Sequence, residues 1–181
     1  MTGPYDIILA DPPWHFSANS AAKPGKGARA HYPTMRTPEI CAMPVRDWSA
    51  RSALLLLWAT APMLPDALEV VRAWGFRYKS HVVWDKGKMG TGYWSRSRHE
   101  PLLIATRGRF PCPRPLFPVS IIEAPRREHS RKPDEVQDMV EARLPGRSML
   151  EIFARQTRPG WAVWGNDTGR FPARNPEGET T

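Results

Sequence analysis

Residues 53–59 read Ala-Leu-Leu-Leu-Leu-Trp-Ala, an unbroken apolar run with no alternation between two faces. A strand with one face in water alternates apolar and polar residues, so this run predicts a strand covered on both faces, as in a parallel sheet held between helices. The segment after it supports that layout. Leu64, Leu68, Val71 and Trp74 recur at helical spacing, and Gly75 stands where a helix C-terminal cap would, so residues 65–75 are expected to form a helix. Further strands are expected at residues 5–10, 76–85, 100–106, 119–123, 148–153 and 161–164. One helix is expected to begin with Thr37 as N-cap and Pro38 at its first position, and another to be opened by Pro133 and run to Arg143. Asp134 and Glu135 in the first turn of the second match the helix dipole, and Gly146 ends it. Residues 111–118 are too rich in proline for a central element. Strands alternating with helices give an α/β fold, a three-layer α/β/α sandwich. The length of 181 residues suits one domain, placed at residues 1–171, with 172–181 as a flexible tail.

The first strand, Tyr5-Asp6-Ile7-Ile8-Leu9-Ala10, runs directly into Asp11-Pro12-Pro13-Trp14. Ligands in open α/β sheets sit beyond the carboxyl ends of strands, which is where Asp11 falls. Two prolines fix φ and remove backbone donors, so the turn is expected to present carbonyl oxygens with no competing N–H nearby. Asp11 and the Pro12 carbonyl together can accept both hydrogens of an aromatic amine and free its lone pair for attack. Trp14 offers a flat face for a stacked purine. The competing reading of the same residues is an ordinary Pro-Pro turn capped by a core tryptophan.

Lysine and arginine total 26 against 18 acidic residues, a net charge of +8. That balance points to a polyanion, with nucleic acid the leading partner and a solvated arginine-rich surface the alternative. Residues 16–36 lack periodicity and form a long loop in which Lys23, Lys26, Arg29 and Arg36 can hold phosphates. Arg96, Arg98 and the basic residues of 107–114 are expected to make a second basic wall. Cys41 and Cys112 are the two cysteines, and neither belongs to a CxxC pair or a histidine cluster. Neither a disulfide framework nor a metal site is expected, and both read as buried or incidental thiols. No apolar run approaches a membrane span and no signal peptide precedes the first strand, so a cytoplasmic protein is expected.

Taken together, residues 10–14 (Ala-Asp-Pro-Pro-Trp), 31–35 (His-Tyr-Pro-Thr-Met), 74–76 (Trp-Gly-Phe), 90–94 (Gly-Thr-Gly-Tyr-Trp), 129–133 (His-Ser-Arg-Lys-Pro), 150–155 (Leu-Glu-Ile-Phe-Ala-Arg) and 160–166 (Gly-Trp-Ala-Val-Trp-Gly-Asn) resemble the MT-A-seventy-like family of S-adenosylmethionine-dependent adenine-N6 methyltransferases. The resemblance covers residues 5–167 in order. It implies a Rossmann-like class I methyltransferase fold in permuted order, with the catalytic strand first and the cofactor-binding strand last. It implies Asp11, Pro12, Pro13 and Trp14 as the catalytic motif, with Asp11 also facing the methionine amino group of S-adenosylmethionine. Lys132 then meets the cofactor's methionine carboxylate, Glu151, Ile152 and Arg155 line its ribose side, and Asn166 reaches its ribose or adenine. Tyr32 covers the target base, and Glu100 is a polar residue behind the site.

After Arg155 the chain reads Gln-Thr-Arg-Pro where messenger-RNA members of the family carry a His-Asn pair, and it has none of their upstream segments. These departures favour a bacterial or phage enzyme acting on DNA, as monomer or homodimer, in the cytoplasm of the bacterium or infected host. An RNA substrate, or a non-catalytic nucleic-acid-binding partner subunit, stays open at this level. A stacked adenine must be flipped out, or met in a single strand.

Overall fold

The computed structural model describes residues 3–15, 34–90, 94–127, 131–166 and 168–171. Its elements are β1 (Tyr5–Ala10), α1 (Thr37–Cys41), α2 (Val45–Trp48), β2 (Ser49–Trp58), a 3-10 turn (Ala61–Met63), α3 (Leu64–Ala73), β3 (Arg77–Asp85), β4 (His99–Arg107), β5 (Ile121–Glu123), α4 (Glu135–Arg143), β6 (Met149–Ile152) and β7 (Trp161–Trp164). Among the described residues these strands form one seven-stranded sheet in the order β5-β3-β4-β2-β1-β6-β7.

Strand alternation divides the core into two layers. Ile8 and Ala10 of β1, with Leu55 and Leu57 of β2, face α1 and α3 through Ile40, Ala67, Val70 and Trp74. Ile7, Leu9, Leu54 and Leu56 face the other way, toward Val136 and Val140 of α4. Helices therefore cover both faces, as the apolar run of β2 requires, and the fold is the expected three-layer α/β/α sandwich.

The sheet is mixed where the sequence predicts a parallel one. β1 pairs in parallel with β2 and β6, but β4 is antiparallel to both β2 and β3. An apolar run reports burial and not direction. Here a hairpin connection turns the chain back after β3, and no crossover helix intervenes to restore the direction. The consequence is functional: the first residues of β4 lie beside the last residues of β2 and β3, at the end of the sheet where β1 also stops.

Local differences are small. Thr37 is not the N-cap of α1; Arg36 holds that place, because Glu39 Oε2 accepts from the Arg36 amide at 2.6 Å and leaves the Thr37 hydroxyl to donate to Asp66 at 2.6 Å. α4 begins at Glu135, after Asp134 rather than at Pro133. Cys112 is exposed, so it is not a core thiol. No helix among the described residues is long and apolar enough to cross a membrane.

Candidate active site

β1 ends at Ala10, and the Asp11 amide donates to the Ile152 carbonyl at 3.3 Å, so the Asp-Pro-Pro turn leaves the sheet beside the end of β6. The turn is braced further along. Trp14 N–H donates to the Pro12 carbonyl at 2.8 Å, Met35 N–H to the Pro13 carbonyl at 2.8 Å, and His15 N–H to the Met35 carbonyl at 3.0 Å. The expectation of no competing donor is thus corrected, since the chain after the prolines folds back and supplies Trp14 N–H. A carbonyl oxygen has two lone pairs, so Pro12 keeps one for another donor. Trp14 is corrected too. It is 7% exposed, packs in the core, and its indole N–H donates to the Trp58 carbonyl at 3.1 Å, so its ring fixes the turn and offers no open stacking face.

Asp11 faces a cavity lined by Leu9, Trp58, Lys132, Glu151, Phe153 and Arg155, with Arg131, Asp134, Gln137, Gln156 and Phe171 completing its wall. Lys132 Nζ lies 2.9 Å from each Asp11 carboxylate oxygen and 3.4 Å from Glu100 Oε2. Lys86 Nζ reaches Glu100 Oε1 at 3.1 Å. The result is a chain of alternating charge, Lys86–Glu100–Lys132–Asp11, running over the Trp58 ring, whose centroid is 5.8 Å from Lys132 Nζ. Burial alone would push the Lys132 ammonium down, but the Asp11 and Glu100 carboxylates outweigh it and hold the ammonium above its ordinary range. Burial would likewise raise Glu100, yet Lys132 and Lys86 hold it below the ordinary carboxylate range.

Glu151 projects to the same side as Leu9, its register partner on β1, and so into the cavity. Burial, then the Asp11 charge, pushes its carboxyl up to about 7, against the hydrogen bond from Gln137 Nε2 at 3.0 Å. Ile152 is its opposite. In register with Ala10, it is fully buried among the residues facing α1 and α3, so the expected cofactor contact is corrected to a core position. One residue on, Phe153 lines the cavity with φ of 65°, a left-handed conformation that costs a non-glycine residue energy and often marks a functional site. Its ring meets Trp164 edge-on at 5.5 Å.

Arg155 lines the cavity as expected, whereas Asn166 is exposed and outside its lining. Tyr32, Lys23, Lys26 and Arg29 lie outside the described residues. The second basic wall does not exist as one surface. Arg96 and Arg98 flank the start of β4, near the cavity, with Arg98 held by Asp85 at 2.6 Å. Arg107 ends β4 opposite Ala53, one residue past the Thr106–Arg77 pair, at the far end of the sheet. The cavity's Trp58, Gln137, Phe153, Gln156 and Phe171 carried no signal as single letters; only the acidic end of β6 pointed at their neighbourhood.

This cavity suits an amino-acid-bearing nucleoside such as S-adenosylmethionine. Glu151 is a buried acceptor suited to hydroxyl donors, Lys132 and Arg155 are cations suited to a carboxylate, and three aromatic rings offer apolar walls.

The MT-A70 family model matches residues 5–167. The Type II methyltransferase M.MunI of Mycoplasma sp is 31% identical over 178 residues, which cover 89% of this chain and 76% of that protein. The N6-methyladenosine RNA methyltransferase MTA1 of Pyricularia oryzae is 33% identical over 192 residues, 94% of this chain and 49% of that protein. The human N(6)-adenosine-methyltransferase catalytic subunit METTL3 is 24% identical over 199 residues, 98% of this chain and 32% of that protein. The chain thus spans about half of the second relative and a third of the third.

Proposed function

We propose, from the premise that this chain belongs to the MT-A70 family and is an adenine-N6 methyltransferase, that it transfers a methyl group from S-adenosylmethionine to adenine in DNA. The observation that carries the reading is the Asp11 carboxylate, paired with Lys132, on the wall of a cavity fit for that cofactor. When bound, S-adenosylmethionine supplies an electrophilic methyl group on a sulfonium. Lys132, Arg155, Glu151 and Phe153 would hold it, Lys132 toward the carboxylate and Glu151 with Arg155 toward the ribose. Asn166, Tyr32 and the loop lysines Lys23 and Lys26 with Arg29 remain part of the proposal, as contacts to the cofactor, the flipped base and the phosphates. Ile152 acts only by packing.

Asp11 and Pro12 do the activating work. Accepting both amine hydrogens turns the nitrogen lone pair out of conjugation with the ring and orients it, which provides catalysis by positioning and preorganised charge. Lys132 holds the Asp11 carboxylate in place, and Glu100 and Lys86 keep Lys132 in place. After transfer the amine carries an extra proton, which leaves to Asp11 or to water. DNA is favoured over RNA because the chain spans 76% of the Type II methyltransferase but half or less of the RNA-named relative. The setting we infer is the cytoplasm of a bacterium or phage-infected host.

The test is incubation of the protein with methyl-labelled cofactor and matched DNA and RNA strands, followed by mass spectrometry of the nucleosides. Labelled N6-methyldeoxyadenosine from DNA is expected. Label in RNA alone would overturn the substrate, and label in neither nucleic acid would overturn the reading.

A further inference from the structure

Phe171 stands four residues beyond the end of the family match, yet it forms part of the wall of the cavity that holds Asp11, Lys132 and Glu151. It is held there from two directions. Its amide donates to the Arg155 carbonyl at 3.2 Å, which places its backbone against the turn that follows Glu151 and Phe153. Its ring, 8% exposed, lies under the Arg131 guanidinium at 5.0 Å from the centroid. Arg131 in turn donates from Nη2 to Gln156 Oε1 at 2.8 Å, and Gln156 Nε2 donates to Asp134 Oδ1 at 3.2 Å. Asp134 also accepts from Arg127 at 2.7 Å, and Arg127 donates to the Lys132 carbonyl. Three separate segments, those before α4, after β6 and after β7, are thereby tied around one aromatic ring.

A ring buried only for stability would sit between helix and sheet, as Val136 and Val140 do. This ring lines the cavity instead, on the side of the Glu151 and Phe153 turn and tied to it through Arg155. The charged groups suited to an amino acid are Asp11, in the turn after β1, and Lys132, ahead of α4, paired with each other at 2.9 Å. The two phenyl rings and the buried carboxyl of Glu151 make a site with apolar walls and a hydroxyl acceptor, which is the chemistry of a nucleoside. Cation–π contact with Arg131 holds the Phe171 ring in the wall.

We propose that Phe171, positioned by Arg131 and Gln156, is a binding residue for the adenosine end of the cofactor, an inference that rests on reading the cavity as the S-adenosylmethionine site. Calorimetry with S-adenosylhomocysteine tests it, using Phe171→Ala, Phe171→Leu and Arg131→Gln in the full chain, with ligand-free melting measured alongside. Phe171→Ala is expected to weaken binding about tenfold, the scale of one lost aromatic contact, with smaller losses for the other two. In turnover the change appears in KM for the cofactor far more than in kcat. Unchanged affinity in a folded Phe171→Ala protein overturns the proposal. Should that variant not fold, unchanged affinity in both Phe171→Leu and Arg131→Gln overturns it equally. A fall in kcat with unchanged cofactor KM also contradicts it. A wild-type protein that does not bind S-adenosylhomocysteine contradicts the cofactor reading itself, whereas a wild type that binds beside variants that bind equally well contradicts only the role of Phe171.

Discussion

At the end of the sheet where β1, β2 and β6 stop, Lys86, Glu100, Lys132 and Asp11 form a charge chain along an open cavity. At the other end, where β4 stops, charge is as dense but differently used. Arg107 donates to the Arg46 carbonyl at 2.7 Å and overlies the Phe76 ring, Arg147 overlies Phe110, and Asp6 accepts from the Ser148 amide at 3.2 Å and lies 3.7 Å from Arg147. Those cations end on a carbonyl, two rings and the Asp6 carboxylate, contacts that close loops onto the sheet. The cavity end instead sets Lys86, Lys132, Arg131 and Arg155 among the carboxyls of Asp11, Glu100, Asp134 and Glu151, the last pushed up to about 7 by burial. Clustered arginines in a sequence therefore do not locate a site. Strand direction does, because parallel strands deliver their exits to one end and the reversed β4 delivers Glu100 to that end while carrying Arg107 away from it.

The largest expected difference between the two ends is in rate. Asp11→Ala should lower methyl transfer by about 100-fold or more, the scale of a lost preorganised group, while melting stays close to wild type. Rapid turnover by the folded variant would remove Asp11 from the chemistry. Next comes Lys132→Ala, expected to weaken S-adenosylhomocysteine binding by roughly 1.5–3 kcal/mol, the range for a hydrogen bond to a charged group. Calorimetry finding wild-type affinity would confine Lys132 to supporting Asp11 and Glu100.

A smaller effect is read in stability against pH. Glu151 titrates near 7 folded and near 4.5 unfolded, so between these values the folded chain binds more protons. Its contribution to ligand-free stability is present at the acid end of that window and falls as pH rises through about 7. Melting of wild type relative to Glu151→Gln should accordingly drop by a few degrees from pH 5 to pH 8. A difference independent of pH would place the carboxyl in an ordinary environment. At the far end, Arg107→Ala should cost about 1 kcal/mol of stability through its lost hydrogen bond and leave cofactor affinity alone. A matching loss of cofactor binding would show that the two ends are coupled.

The sequence made the strands and helices readable because burial leaves a pattern along the chain: the run of β2 and the spacing in α3 each report their own surroundings. Direction left no such pattern, since β4 reads the same forward or reversed. The site was legible where one segment carried it, at Asp11, Lys132, Glu151 and Arg155. It was not legible where chemistry depends on partners far apart in sequence. Lys132 meets Asp11 across 121 positions, and Trp14 is taken from solvent by the carbonyl of Trp58. The family resemblance implies a cofactor contact for Ile152, but the period of a strand turns its side chain to the face opposite Glu151. Gly165 shows the same limit. A side chain there would collide with the backbone of Ala154, a restriction imposed by the neighbouring chain and invisible in the letters around it.

Where the methyl donor sits decides between the two ends most directly. Ultraviolet crosslinking of methyl-labelled S-adenosylmethionine to the protein, followed by peptide mapping, should place the label within residues 9–14 or 150–156. Label confined to residues 107–114, at the opposite end of the sheet, would contradict the assignment of the cavity at Asp11 as the active site.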